Sequence, residues 1–374
     1  MRTRIAMLGA FPPAIGGISA CIDNLMRSGL RHRHAFLPFH TYSRKGGSAA
    51  YGEESVLWKT GRVLSDMARF IPFLVRRAPN LVHVHTSFGD WSFWRDSLYV
   101  LLARAAGKPV FLQIHGGDLA SFMRRHPSAG SLPRILLSFP TRIGVLSRMQ
   151  EIPLRLLSRR NGIERVPNFV KAGETVPRKE IRSRFGIPQR SCLAVFAAPH
   201  LYPAKGVFEL MGAAAALLPS YPELRFCVIG GGGAESALRR IRKSMRGGER
   251  VLFTGNISPE TVRQWMSAAD IFILPSHGEG FPMSVLEAMA AGLPVTATRV
   301  GAVPEMIDDG IGGILIPPRD SEALARALAG LIENPSVRKR MGLYNREKVL
   351  RMYSMKNAEK TFGRCYRITA GLDR

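Results

Sequence analysis

Cysteine is scarce: 4 residues in 374, scattered at Cys21, Cys192, Cys227 and Cys365. That spacing matches no metal-ligand pattern and no disulfide framework, so reduced thiols are expected. No apolar run reaches the ~18 residues of a membrane-crossing helix. A cleaved leader is not expected either, because the apolar stretch at the start is short and Pro12-Pro13 and Gly16-Gly17 follow at once. A GxGxxG fingerprint is missing, which weakens any dinucleotide-binding reading. Acidic residues are few, 28 against 53 Lys and Arg, for a net charge of +25. Such an excess suits a polyanionic surface. Zinc-finger, RNP and interleaved aromatic-basic patterns are all missing, so an anionic membrane face is favoured over nucleic acid.

What is present is an alternation of apolar runs and helical stretches, long enough for two domains of an α/β protein. The most informative stretch is 270–299, DIFILPSHGEGFPMSVLEAMAAGLPVTATR. Ile271-Phe272-Ile273-Leu274 reads as a buried parallel strand. A polar loop, 275–282, follows. A helix is expected from about Pro282, stopped by Gly292, and Pro294 opens another strand. This is a βαβ unit. Amides at the helix start, from Gly280, Phe281, Pro282 and Met283 to Ser284, form an anion cradle; proline adds no N–H of its own. Glu279 and Glu287 flank it, and carboxylates bond sugar hydroxyls. A nucleotide-sugar requires both features.

The phrase EGFPMSVLEAMAAGLPVTAT, with its Glu-x7-Glu spacing, resembles the signature of glycosyltransferase family 4. These are retaining group 1 enzymes, among them makers of bacterial cell-surface glycans. The resemblance implies a GT-B fold. Two Rossmann-like domains face across a cleft, with a C-terminal helix crossing back to the first. On this sequence that gives an N-terminal acceptor-side domain over 1–170, joined by a crossover helix at about 356–374. A nucleotide-sugar-binding domain covers 171–355. The likeness is strong over 190–320, moderate over 1–20 and 81–118, and weak over 30–75.

Further residues fall into place along the chain. Arg4–Leu8 reads as a strand leading through Gly16-Gly17 into a helix, a path that lets backbone approach a sugar or phosphate. Over 60–77, Val63, Leu64, Met67, Phe70, Ile71, Leu74 and Val75 recur at helical spacing, decorated by Arg62, Arg69, Arg76 and Arg77. Such a helix either docks on a membrane or packs its stripe inward. His83 and His85 lie on an apolar strand and read as satisfied sheet residues. His115-Gly116-Gly117-Asp118 follows another strand, where open α/β sheets hold ligands. It resembles the family's N-domain histidine motif. Lys205 precedes a helix and suits a diphosphate. His200 stands where many relatives carry arginine, and a neutral imidazole does not replace a bidentate guanidinium.

The resemblance implies a retaining transferase that moves a sugar from a nucleoside diphosphate-sugar to a lipid-linked or glycan acceptor. Cell-surface polysaccharide or lipopolysaccharide synthesis is the implied setting. The chain is expected in the cytoplasm, peripheral at the inner face of the plasma membrane. Neither a cofactor nor a metal is expected. His115 and Glu279 are the expected catalytic residues. Donor binding falls to Lys205, His200, Gly280–Met283, Glu287, Gly16 and Gly17. The competing readings are a catalytically silent nucleotide-sugar-binding module and a GT-B epimerase or hydrolase.

Overall fold

The computed structural model describes residues 2–12, 16–41, 56–89, 91–157, 162–170 and 177–372. Most of the polar loop expected over 41–53, the middle of the loop after the first strand, and positions 171–176 of the linker lie outside the described residues. The chain divides into two units, Met1–Asn168 with Met355–Arg374, and Phe169–Ser354.

Unit 1 runs β1 (Thr3–Gly9), α1 (Gly17–Arg27), β2 (His34–His40), α2 (Val56–Arg77), β3 (Leu81–Thr86), α3 (Ser92–Ala105), β4 (Val110–Ile114), α4 (Leu119–Arg125), α5 (Leu132–Leu136), β5 (Arg142–Val145), α6 (Arg148–Leu157) and β6 (Gly162–Arg165). The six strands are parallel, in the order β2-β1-β3-β4-β5-β6. The chain steps from β1 outward to β2, then reverses to β3. The reversal lies between β1 and β3, the place where doubly wound sheets leave a crevice at the carboxyl ends. One layer of helices closes a core in which Phe70 meets Tyr99 edge-on at 5.2 Å and Phe39 at 5.0 Å. The C-terminal helix, Met355–Thr369, belongs to this unit. Its Tyr366 is fully buried, and its Glu359 accepts the Gly29 N–H at 2.6 Å.

Unit 2 runs α7 (Arg178–Arg184), β7 (Cys192–His200), α8 (Val207–Leu217), β8 (Leu224–Gly231), α9 (Glu235–Ser244), β9 (Val251–Gly255), α10 (Pro259–Ala268), β10 (Ile271–Leu274), α11 (Met283–Ala290), β11 (Val295–Thr298), α12 (Val303–Met306), β12 (Gly313–Ile316), α13 (Ser321–Glu333) and α14 (Pro335–Met352). Its strands are again parallel, in the order β12-β11-β10-β7-β8-β9. The reversal here falls between β7 and β10.

Three features go beyond what local pattern conveys. The stripe of α2 is not uniformly packed: Val63, Phe70 and Leu74 are buried, whereas Leu64, Ile71 and Val75 are 65%, 52% and 75% exposed. Seven apolar positions in 13 residues make too wide a band for one core face, so the outer edge stays in solvent. Strand β7 extends to His200, two residues past its apolar run, because His200 still pairs with Gly231 across an irregularity. Helix α14 had no apolar signal in the sequence. Its buried positions mix Met341 and Val349 with Asn345 and Lys348. Asn345 donates to the carbonyls of Leu293 and Gly312, and Lys348 pairs with Asp308, so polar bonds dock this helix.

Candidate active site

In unit 2 the expected donor residues gather at the reversal between β7 and β10. Lys205 lies just past the end of β7 and Glu279 in the loop past β10. Lys205 Nζ donates to Glu279 Oε1 at 2.7 Å, with the two side chains 31% and 9% exposed. Two glycines make this approach possible. Gly206, at φ +70°, would place a Cβ 1.9 Å from the Pro275 carbonyl oxygen. Gly301, at φ +55°, would place one 1.7 Å from the carbonyl oxygen of Glu279 itself. Only a residue without Cβ lets the three strand-end segments, after β7, β10 and β11, touch. Hydrogen bonds complete the frame. The His277 N–H donates to the Ala204 carbonyl at 2.8 Å, and the Ala302 N–H to the Gly280 carbonyl at 3.0 Å. The His277 ring bonds Glu209 on α8 at 2.8 Å.

Helix α11 begins immediately after this loop. Pro282 is its N-cap; no side chain caps it, and its first turn holds no acid. Its leading N–H groups, on Met283 and Ser284, therefore have no acceptor within the helix and suit an anion. Phe281 is buried, its ring against Tyr353 at 5.6 Å, so its side chain supports the loop. Glu287 is half-buried on α11. Desolvation pushes its carboxyl up to about 7, and Arg263 on α10 opposes the rise. His200 is half-buried at the tip of β7, its ring tilted 5.6 Å from Tyr202.

Unit 1 offers a second grouping. Gly16 caps α1 with φ 155° and Gly17 opens the helix, both exposed. His115 follows β4 directly, its N–H held by the Thr86 carbonyl at 2.8 Å. Its Nε2 lies 2.7 Å from Nδ1 of His85, and both rings are buried. Burial holds the His115 imidazole down to about 3, so the ring is neutral. Asp118, next to the motif, caps α4 by accepting the Ser121 N–H at 2.8 Å. Arg62, Arg69, Arg76 and Arg77 lie on α2, away from this histidine pair in sequence and element; Arg69 is ion-paired to Asp66. Sequence reasoning missed His85, Glu209 and His277, which reveal themselves only through contacts across strands and loops. Among the described residues no group of three or more His, Cys, Asp or Glu is arranged to hold a metal ion.

Residues 177–348, nearly all of unit 2, match the family model described as glycosyl transferases group 1. Over these residues the chain carries a group 1 glycosyltransferase domain. A sucrose-phosphate synthase from Thermosynechococcus elongatus superposes on this chain with a TM-score of 0.82 at 19% identity, covering 98% of this chain and 99% of that one. The likeness is one of fold, the GT-B architecture of two Rossmann-like domains. A D-inositol 3-phosphate glycosyltransferase from Streptomyces griseus subsp. griseus is 33% identical over 174 residues, 44% of this chain and 37% of the relative. The chain thus spans about two fifths of the length of the Streptomyces relatives of that name. A GDP-mannose-dependent alpha-(1-6)-phosphatidylinositol monomannoside mannosyltransferase from Mycolicibacterium smegmatis is 26% identical over 358 residues. That alignment takes in 91% of this chain and 92% of the relative.

Proposed function

We propose that this chain moves a sugar from a nucleoside diphosphate-sugar to a lipid-linked or glycan acceptor, with retention at the anomeric carbon. The observation that carries the proposal is the Lys205–Glu279 pair at the strand reversal of unit 2, beside an uncapped helix start. The Mycolicibacterium relative supports the donor and acceptor classes, since its name specifies GDP-mannose and a phosphatidylinositol glycolipid.

The roles follow from the chemistry of each group. Lys205 and the leading amides of α11 meet the diphosphate, which gains charge as the anomeric C–O bond breaks. Glu287 accepts the ribose hydroxyls. Glu279 leaves Lys205 to orient the transferred sugar. His115 is assigned to a hydroxyl of that sugar. An acceptor hydroxyl forms the new bond on the face the diphosphate leaves, and its proton passes to the departing diphosphate. The leaving-group charge is met without a metal ion. His200 contributes a hydrogen bond where the family resemblance implies a guanidinium, so the amides carry more of the diphosphate.

Helix α2 suits an anionic membrane surface. Leu64, Ile71 and Val75 are exposed, and Arg76 and Arg77 end the helix. Each well-placed basic residue contributes about 1 kcal/mol at such a surface. No helix of the described residues is long and apolar enough to cross a membrane.

The experiment is a panel of nucleoside diphosphate-sugars incubated with purified protein and candidate lipid or glycan acceptors. Transfer product with the donor's anomeric configuration retained supports the proposal. Hydrolysis or epimerisation without an acceptor, or tight binding with no turnover, overturns it.

A further inference from the structure

We infer that His85 is a positioning residue for His115: it holds the His115 ring through an Nδ1···Nε2 hydrogen bond and ties the tautomers of the two rings together. The inference rests on the assignment of His115 to a hydroxyl of the transferred sugar.

Backbone register brings the two rings together. Strands β3 and β4 run in parallel with His85 beside Gln113 and Thr86 beside Ile114. The Thr86 carbonyl accepts the His115 N–H, so His115 continues the ladder by one residue onto the same face as Gln113 and Phe111. The rings meet with centroids 5.0 Å apart and nitrogens 2.7 Å apart. His85 is itself confined. The His83 ring lies 3.9 Å from it, and a Cβ on Gly9 would stand 3.4 Å from its own Cβ. His83 is fixed from both ends, by Tyr366 Oη on Nδ1 at 3.0 Å and by Gln113 Oε1 on Nε2 at 3.1 Å. The Gln113 carbonyl only accepts, so His83 carries its proton on Nε2 and accepts from the Tyr366 hydroxyl.

The hydrogen-bond arithmetic couples the tautomers. Each neutral imidazole has one N–H and one lone pair. A single bond joins His85 Nδ1 to His115 Nε2. If His85 donates, its proton is on Nδ1, and His115 must keep its own on Nδ1. If His115 donates from Nε2, His85 must hold its proton on Nε2. The two rings are therefore both Nδ1–H or both Nε2–H, never mixed. The bond also consumes Nε2 of His115. Nδ1 is buried with no hydrogen-bond partner and is the one ring nitrogen left for a substrate group. Nε2 of His85 is likewise buried and unpartnered. Burial disfavours the charged form of each of the three histidines, His115 disfavours it further in His83, and His83 and His115 disfavour it further in His85.

The test combines spectroscopy with a double-mutant cycle. In protein labelled with 15N-histidine, the ring nitrogens of His85 and His115 are expected to report the same tautomer. His85→Phe keeps an aromatic ring and removes the bond; the His115 signals should then shift toward a mixture of tautomers. Turnover should fall by about 100-fold, the cost of a misplaced catalytic group, with donor KM little changed. His85→Asn puts an amide near the Nδ1 position and should restore part of the loss. Adding His85→Phe to His115→Ala should cost nothing further. Unlike tautomers in the wild type, or unchanged His115 signals with additive losses, would overturn the inference. Full turnover in His115→Ala would instead sink the role assigned to His115, while the 15N signals would still judge the pair. Should His85→Phe not fold, the wild-type tautomers and the Asn variant still decide.

Discussion

The ammonium of Lys205 and the carboxylate of Glu279 satisfy each other at 2.7 Å across two strand-end loops that lie 74 residues apart in the chain. A ligand anion at the lysine competes with the glutamate for the same ammonium. Under the proposed function, one substrate carrying a diphosphate and a sugar would engage both at once, and until it binds the pair keeps two charged groups from being buried unpaired.

Separating the two partners should separate their effects. Lys205→Met is expected to weaken nucleoside diphosphate binding by about 10- to 100-fold, the worth of a charge-assisted hydrogen bond. Glu279→Gln should keep diphosphate affinity within a few-fold and lose turnover by about 100-fold or more. Calorimetric titration with the diphosphate, alongside steady-state rates, checks both. Equal loss of binding in the two variants would contradict the division of roles.

Gly301→Ala tests the frame beneath the site. The new Cβ would fall 1.7 Å from the Glu279 carbonyl oxygen, at a φ of +55° that alanine adopts only under strain. A stability loss of about 1–3 kcal/mol is expected from the backbone alone, and turnover should fall with it. Gly310→Ala is the control: it shares a positive φ but has nothing within 4 Å of the added Cβ. Urea unfolding midpoints and rates for the two variants make the comparison.

Glu287 should make donor binding pH-dependent. Its carboxyl, ordinarily near 4.5, is pushed up to about 7 by burial. The folded state therefore holds a proton that the unfolded chain releases between those values. Unit 2 loses stability as pH rises from about 4.5 to about 7, on the order of 3 kcal/mol in all. Ribose hydroxyls favour the carboxylate, so affinity should rise through the same window and protons should be released on binding. Calorimetry in two buffers of different ionisation heat reads that proton count. In Glu287→Gln it should vanish.

The histidines of unit 1 give the opposite slope. His83, His85 and His115 are held below their ordinary value of 6.5, His115 to about 3. The unfolded chain binds protons that the fold excludes, so their contribution is intact above pH 6.5 and is lost as pH falls below it. Each contributes a slope of about 1.4 kcal/mol per pH unit there. Denaturant midpoints at about pH 7.5 and about pH 5 should differ, and His83→Phe should flatten the difference.

Membrane docking by α2 should be separable from folding. Leu64, Ile71 and Val75 are exposed, so changing all three to serine should shift stability by only about 0.5 kcal/mol per site. Binding to vesicles rich in anionic lipid should fall sharply. Arg76→Glu with Arg77→Glu should do the same and remove the salt sensitivity. Sedimentation with vesicles, at low and high salt, is the measurement.

Much of the fold was legible because parallel strands advertise themselves. Apolar runs such as Ile271–Leu274 and Leu81–Thr86 are buried on both sides and need no partner to be recognised. Glu279, Lys205 and His115 were legible because each sits at a strand's carboxyl end within a recognisable phrase. Helix α14 was not, since Asn345 and Lys348 break its apolar period and their partners lie 33 to 52 residues away. The inward and outward halves of the α2 stripe were not either, because periodicity marks a band and only packing decides how wide the core is.

The sequence by itself determined the α/β class and put Lys205, Glu279 and His115 just past the ends of strands. Local grammar suffices for these: strand, glycine-bearing loop, helix start, and carboxylates at fixed spacing. The tertiary structure alone decided which groups meet. Strand order put Lys205 against Glu279 across the reversal between β7 and β10. Register between β3 and β4 put His85 against His115 and turned two apparent sheet histidines into a buried polar chain ending at Tyr366 of the C-terminal helix. Contacts of this kind depend on the pairing of distant strands, which leaves no trace in local spacing.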